Sequence, residues 1–121
     1  MMQQDAFSQW LGIEVLEVKT GSSKLQMTVR KEMTNGFGIA HGGITYSLAD
    51  SALAFAANAH GRLSMSIETS ISHIHAVKCD DVLTAIATEK NCSNSLIFIP
   101  NSRFIIRVNL NIYFKYTMTL I

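Results

Sequence analysis

The sequence predicts an α+β protein in which an antiparallel β-sheet wraps a single long helix. Two observations carry this expectation. From about His41 to about Ala59 apolar residues recur at helical spacing, and Gly61 supplies a stop. The segments before and after that stretch read as strands, several of them alternating apolar and polar residues.

The elements follow in order. Residues 3–10 read as a short amphipathic helix with Phe7 and Trp10 on one face, ended by Gly12. Ile13 to Lys19 alternates imperfectly and reads as a strand. Gly21-Ser22-Ser23 forms a turn, and Lys24 to Arg30 alternates cleanly, so the pair is expected as a hairpin. A loop with Asn35, Gly36 and Gly38 leads into the long helix. There Ile44, Leu48, Ala52, Phe55 and Ala59 form one apolar stripe. Asp50 falls about 200° around from Leu48, on a face shared with Ser47, Ala54 and Ala57. A helix apolar or small nearly all round is expected to be buried, which makes Asp50 a buried-looking carboxylate. Strands are expected at Ser64–Ala76 and Asp81–Lys90, with a less regular β region from Leu96 to Leu120.

Composition bounds the function. The 121 residues suit one domain with one core. A net charge of +1 gives no reason to expect a nucleic-acid partner. The N-terminus lacks the basic and apolar regions of a signal peptide, and the apolar stretch 44–57 is too short to cross a bilayer and contains Asp50. A cytoplasmic protein with no membrane partner is therefore expected. Cys79 and Cys92 have no CxxC spacing and read as reduced thiols. All nine acidic residues lie at or before Glu89, whereas four basic residues and no acids follow. Pro100 cannot donate a ladder hydrogen bond. Residues 91–121 are accordingly expected to form only partial sheet, and the resemblance given below marks them as an atypical, aberrant tail. Val108 to Tyr116 still reads there as a strand by pattern, with weakly specified register.

The chemistry concentrates in Asn35-Gly-Phe-Gly-Ile-Ala-His41-Gly42-Gly43 and in Asp50. The amides of Gly42 and Gly43 fall where a helix begins, so they can polarise a carbonyl or hold an anion. Asp50 has no Lys or Arg within four residues on either side. His41 suits a cap or a site residue, and Asn35 a turn former or a site residue. His73 and His75 face one way on a strand, but no third ligand accompanies them, so no metal site is expected. Phosphate-binding glycine loops and a Gly-x-Ser-x-Gly elbow are absent.

The motif Asn35 to Gly43, six further residues and Asp50, with its flanking elements, resembles the hotdog-fold acyl-CoA thioesterases, in their phenylacetate-degradation (PaaI-like) branch. Ser66-Ile-Glu-Thr-Ser-Ile-Ser72 and Asp81-Val-Leu-Thr-Ala85 are similar to that family's next two strands. The resemblance implies Asp50 as catalytic carboxylate, Gly42 as carbonyl-polarising amide, Asn35 and His41 as residues shaping the site, and Ser66 as a residue placing the attacking water. Gly43 belongs to the substrate-binding turn. It implies an acyl-CoA or arylacetyl-CoA substrate, no cofactor, and a homodimer, often a dimer of dimers. The chain departs from the family at Ala76, where Pro is usual, at Asp80, where Gly is usual, and throughout the tail. A carboxylate and a carbonyl polariser suffice for a thioester because thiolate leaves readily. A non-catalytic acyl-CoA binding module is the alternative, and a hotdog dehydratase needs a His–acid pair that is not seen. Along one helix, eight residues separate Gly42 from Asp50 by about 12 Å, so a shared site between two subunits is expected.

Overall fold

The computed structural model describes residues 2–61, 64–72, 76–94, 100–108 and 112–120. A 3-10 turn at Met2–Gln4 precedes helix α1 (Ala6–Leu11). Strands β1 (Glu14–Lys19) and β2 (Ser22–Thr28) come next, then helix α2 (Gly42–Asn58). Strands β3 (Ser64–Ser72), β4 (Val82–Asn94), β5 (Pro100–Val108) and β6 (Ile112–Leu120) complete the fold. The six strands form one sheet in the order β1-β2-β4-β5-β6-β3, and every neighbouring pair is antiparallel. The expected α+β plan is present.

The sheet wraps α2 because alternate strand residues build one apolar face that the helix covers. Leu25 and Met27 of β2, Leu83, Ala85 and Ala87 of β4, and Ile106 and Val108 of β5 are buried. Lys24, Thr28, Val82, Ile86 and Thr88 point outward. On α2 the stripe Ile44, Leu48, Ala52 and Phe55 is buried, as are Ala49, Leu53, Ala56 and Ala57. Burial of that apolar surface supplies the main favourable term for the fold. Ser23 Oγ donates to the Ala52 carbonyl, fastening β2 to the middle of the helix.

Helix α1 is set by its ends. Asp5 is the N-cap, with Oδ1 accepting from the Ser8 amide at 3.0 Å. Gly12 closes the helix in the left-handed conformation at φ 72°. Arg30 packs over the Trp10 ring and donates to the Trp10 carbonyl at 2.6 Å, placing a cation at the helix C-terminus. The buried residues of α1 are Ser8 and Leu11, whereas Phe7 and Trp10 are stacked and about half exposed. The aromatic face is therefore not the face that seals the core.

Two expectations are corrected. Every described residue of the tail lies in a strand of the sheet. Strand β4 runs on to Asn94, and β5 pairs with it from Val108 opposite Ala85 to Pro100 opposite Asn94. Strand β6 pairs with β5 and with the edge strand β3. The expected strand Val108–Tyr116 is divided, since Val108 ends β5 and pairs with Ile112 at the start of β6. The lack of acids after Glu89 does not interrupt the sheet, because ladder hydrogen bonds are made by backbone groups whatever the side-chain charge. Pro100 stands first in its strand, a position that tolerates its missing donor. Asp50 is likewise not buried. It is exposed on the chain surface, beside the half-buried Ser47 and Ala54, although Ala57 on the same face is buried.

Candidate active site

The loop before α2 is a small closed turn. Asn35 Oδ1 accepts from the Phe37 amide at 2.9 Å, the Gly38 amide donates to the Asn35 carbonyl, and the Asn35 amide donates to the Ile39 carbonyl. Gly38 adopts φ 75°, and Thr34 bridges to Ala40. The turn is tied to the body of the protein. The Ala40 amide donates to the Val77 carbonyl at 2.6 Å, and the His41 amide donates to the Met33 carbonyl at 2.8 Å. Asn35 is thus a turn former whose carboxamide oxygen holds the loop shape. Phe37 at the tip is 90% exposed.

That turn delivers the chain to the start of α2. His41 is the N-cap, and its Nδ1 accepts from the Gly43 amide at 3.3 Å. The Ile44 amide donates to the His41 carbonyl. The Gly42 amide has no partner among the described residues. Of the two glycine amides, Gly42 is therefore the donor left open at the positive end of the helix. A side chain at Gly43 would meet only His41 Nδ1, at an ordinary 3.7 Å. Its backbone is not left-handed either. Nothing within the described chain requires glycine at 43.

Asp50 lies two turns along α2. It opens on a recess of about 230 Å³ between α1 and α2 whose walls include Asp5, Phe7, Tyr46, Ser51 and Ala54. Solvent reaches the carboxylate from the open side of the recess, while α1 and the body of α2 shield the other. Desolvation and then the charge of Asp5 push the Asp50 carboxyl above the usual aspartate range. No hydrogen bond or ion pair engages Asp50 among the described residues. Beside it runs a polar chain. Ser8 Oγ donates to Asp5 Oδ2 at 2.6 Å and stands 2.7 Å from Ser51 Oγ, with both serines buried.

The fold thus gathers Asn35, His41, Gly42 and Gly43 at one end of α2 and sets Asp50 apart from them, about 12 Å away along the axis. Ser66 lies on β3, opposite Met118 and beside a bulge. His73 and His75 fall outside the described residues. Among the described residues no three His, Cys, Asp or Glu side chains converge as metal ligands, and no helix is long and apolar enough to cross a membrane. Sequence reasoning missed Asp5, Ser8 and Ser51. The signal for Asp5 was an acidic residue directly before the apolar-periodic helix, the mark of an N-cap.

A long helix packed on an antiparallel sheet is the hotdog fold. The chain belongs to the thioesterase superfamily, whose family model matches residues 37–99, and within it to the PaaI-like proteins. It is 36% identical over 87 residues to the acyl-coenzyme A thioesterase PaaI of Escherichia coli K12, covering 72% of this chain and 62% of that protein. It is 42% identical over 94 residues to a protein of Archaeoglobus fulgidus, covering 78% of this chain and 61% of the other. The chain thus spans about three-fifths of the length of these curated relatives. The structure of the E. coli PaaI protein from the phenylacetic acid degradation operon superposes with a TM-score of 0.88 at 27% identity, covering 100% of this chain and 88% of that one. A mutant structure of the phenylacetic acid degradation protein PaaI from Thermus thermophilus superposes with a TM-score of 0.84 at 28% identity, covering 97% of this chain and 100% of the other.

Proposed function

We propose that residues 1–121 act as one cytoplasmic thioesterase domain that hydrolyses an acyl-CoA or arylacetyl-CoA thioester to the free acid and CoA. The observation that carries this reading is the pairing of an open Gly42 amide at a helix start with an unpaired carboxylate on the same helix. In the reaction the thioester carbonyl oxygen accepts from the Gly42 amide, which stabilises the charge that develops there. Asp50 either attacks the carbonyl carbon or takes a proton from a water that does. The C–S bond breaks, thiolate leaves and is protonated as CoA, and water supplies the oxygen of the acid. A carboxylate whose proton affinity is raised is the better base for this step.

One helix cannot bring Gly42 and Asp50 to the same carbon, since the reacting atom must sit roughly 3 Å from both. Two copies meeting antiparallel across a two-fold axis bring Asp50 of one to Gly42 of the other and generate two equal sites. Gly43 supports this reading. Glycine early in a helix costs about 0.5–1 kcal/mol relative to alanine, and the described chain gives no reason for it, so close approach by substrate or a second copy is the remaining use. His41 and Asn35 hold the turn that presents these amides, and Ser66 on β3 is assigned to positioning water.

The test is a thiol-release assay on a panel of acyl-CoAs, run beside Asp50→Asn. Loss of a general base lowers turnover by about 10²–10⁴, and loss of a nucleophile lowers it further. Near-normal kcat in Asp50→Asn would remove Asp50 from the chemistry. Absence of thiol release from every thioester would remove the hydrolase reading.

A further inference from the structure

We propose that Asp5 is a positioning residue that holds a second fixed negative charge at the Asp50 recess, so that the site takes acyl groups with an uncharged end and turns away those ending in a carboxylate. This rests on the thioesterase reading and deepens it toward a substrate class.

The charge of Asp5 is held in place. Its two carboxylate oxygens accept from the Ser8 amide at 3.0 Å and the Ser8 hydroxyl at 2.6 Å. Ser8 Oγ, having given its proton to Asp5, accepts from Ser51 Oγ at 2.7 Å. Ser51 is the residue after Asp50, so this buried chain links the α1 cap to the helix that carries the candidate attacker. Both carboxylates line one recess. Among the described residues no Lys, Arg or His lines it, and Arg30, which packs against Trp10, is engaged with Trp10 and Glu32 at the other end of that helix. Besides Asp5 and Asp50, the only titratable group among the described lining residues is Tyr46.

An acyl chain entering this space meets Phe7, Tyr46 and Ala54, which suit a hydrocarbon or an aromatic ring. A terminal carboxylate would meet two like charges with no counter-ion among the described lining residues of this chain. The same placement acts on Asp50, whose proton affinity rises through desolvation and through Asp5. Asp5 thus makes the base stronger while narrowing the acyl group.

The experiment compares butyryl-CoA with succinyl-CoA, which have the same chain length and differ in a terminal methyl or carboxylate. Wild type is expected to favour butyryl-CoA. Asp5→Asn keeps an equally good cap and removes the charge. It should narrow the preference by roughly an order of magnitude and move the acid limb of the pH–kcat/KM profile to lower pH. Asp5→Glu, which keeps the charge, should hold the preference near that of wild type. A carbon-13 NMR titration of the Asp50 carboxyl should fall to lower pH in Asp5→Asn, and this readout needs no turnover. If Asp5→Asn unfolds, Asp5→Ser provides a neutral cap for the same measurements. An unchanged preference together with an unchanged Asp50 titration overturns the proposal. If wild type cleaves neither thioester, the Asp50 titration decides, and an Asp50 titration unchanged in Asp5→Asn overturns the proposal, whereas the hydrolase reading falls only with the whole acyl-CoA panel.

Discussion

Replacing Asp80 with glycine should stabilise the protein. Asp80 is the one non-glycine residue with positive φ among the described residues, at 72°. It sits in the turn between Lys78 and Asp81, where the Asp80 amide donates to the Val29 carbonyl at 2.8 Å and the Val29 amide donates to the Asp81 carbonyl. Those bonds tie the turn to the end of β2 and hold the backbone in the left-handed region. The left-handed conformation costs an L-residue about 1–2 kcal/mol, somewhat less for aspartate. Glycine returns about 0.4–1 kcal/mol of that through a more flexible unfolded chain. The net expectation for Asp80→Gly is a gain of roughly 0.5–1 kcal/mol. For a chain of this length that raises Tm by about 2–4 °C. Asp80→Ala keeps the steric penalty and lacks the greater tolerance of aspartate for the left-handed region, so it should melt below wild type. Thermal unfolding followed by circular dichroism, at one protein concentration, ranks the three. An Asp80→Gly variant that melts at or below wild type would refute the strain argument.

Two further outcomes follow from the site. Asp50 has a carboxyl pushed above the aspartate range, so the stability it contributes is present at pH below its unfolded value and is lost as pH rises through the folded one. Asp50→Asn should therefore melt higher than wild type at neutral pH, and the difference should vanish in acid; equal melting at all pH values would count against it. Gly43→Ala should leave the fold intact, gaining up to about 1 kcal/mol from helix propensity, because only His41 Nδ1 faces the new methyl group. It should nevertheless reduce kcat/KM for acyl-CoA, and full activity would show that nothing approaches that backbone.

Helix α2 was legible in the sequence because its signals agree: a double glycine at the start, an apolar stripe, and Gly61 beyond the end. The observed span Gly42–Asn58, with His41 and Ala59 as caps, differs by a residue at each end. The turn at Asn35 was legible for the same reason, since Asn and Gly there satisfy backbone groups locally. The tail was not. Val108 to Tyr116 alternates as a strand would, and alternation alone does not distinguish one strand from the ends of two paired ones. The exposure of Asp50 was hidden because Ser47, Ala54 and Ala57 read as a close-packed face, whereas the described chain sets only the short α1 beside it. The link from Asp5 through Ser8 to Ser51 spans 43 residues between the two serines and left no local signal.

The central claim is that the Gly42 amide of one chain and the Asp50 carboxylate of another form one site. Subunit complementation tests it most directly. Gly42→Pro removes the open amide, Asp50→Ala removes the carboxylate, and each variant alone should be inactive. After subunit exchange a mixed dimer holds one intact site and one site damaged twice. Thiol release should return in the exchanged mixture, toward half of the wild-type rate per mixed dimer. Heterodimers that demonstrably form and stay inactive, or a monomer with full activity, would contradict the account.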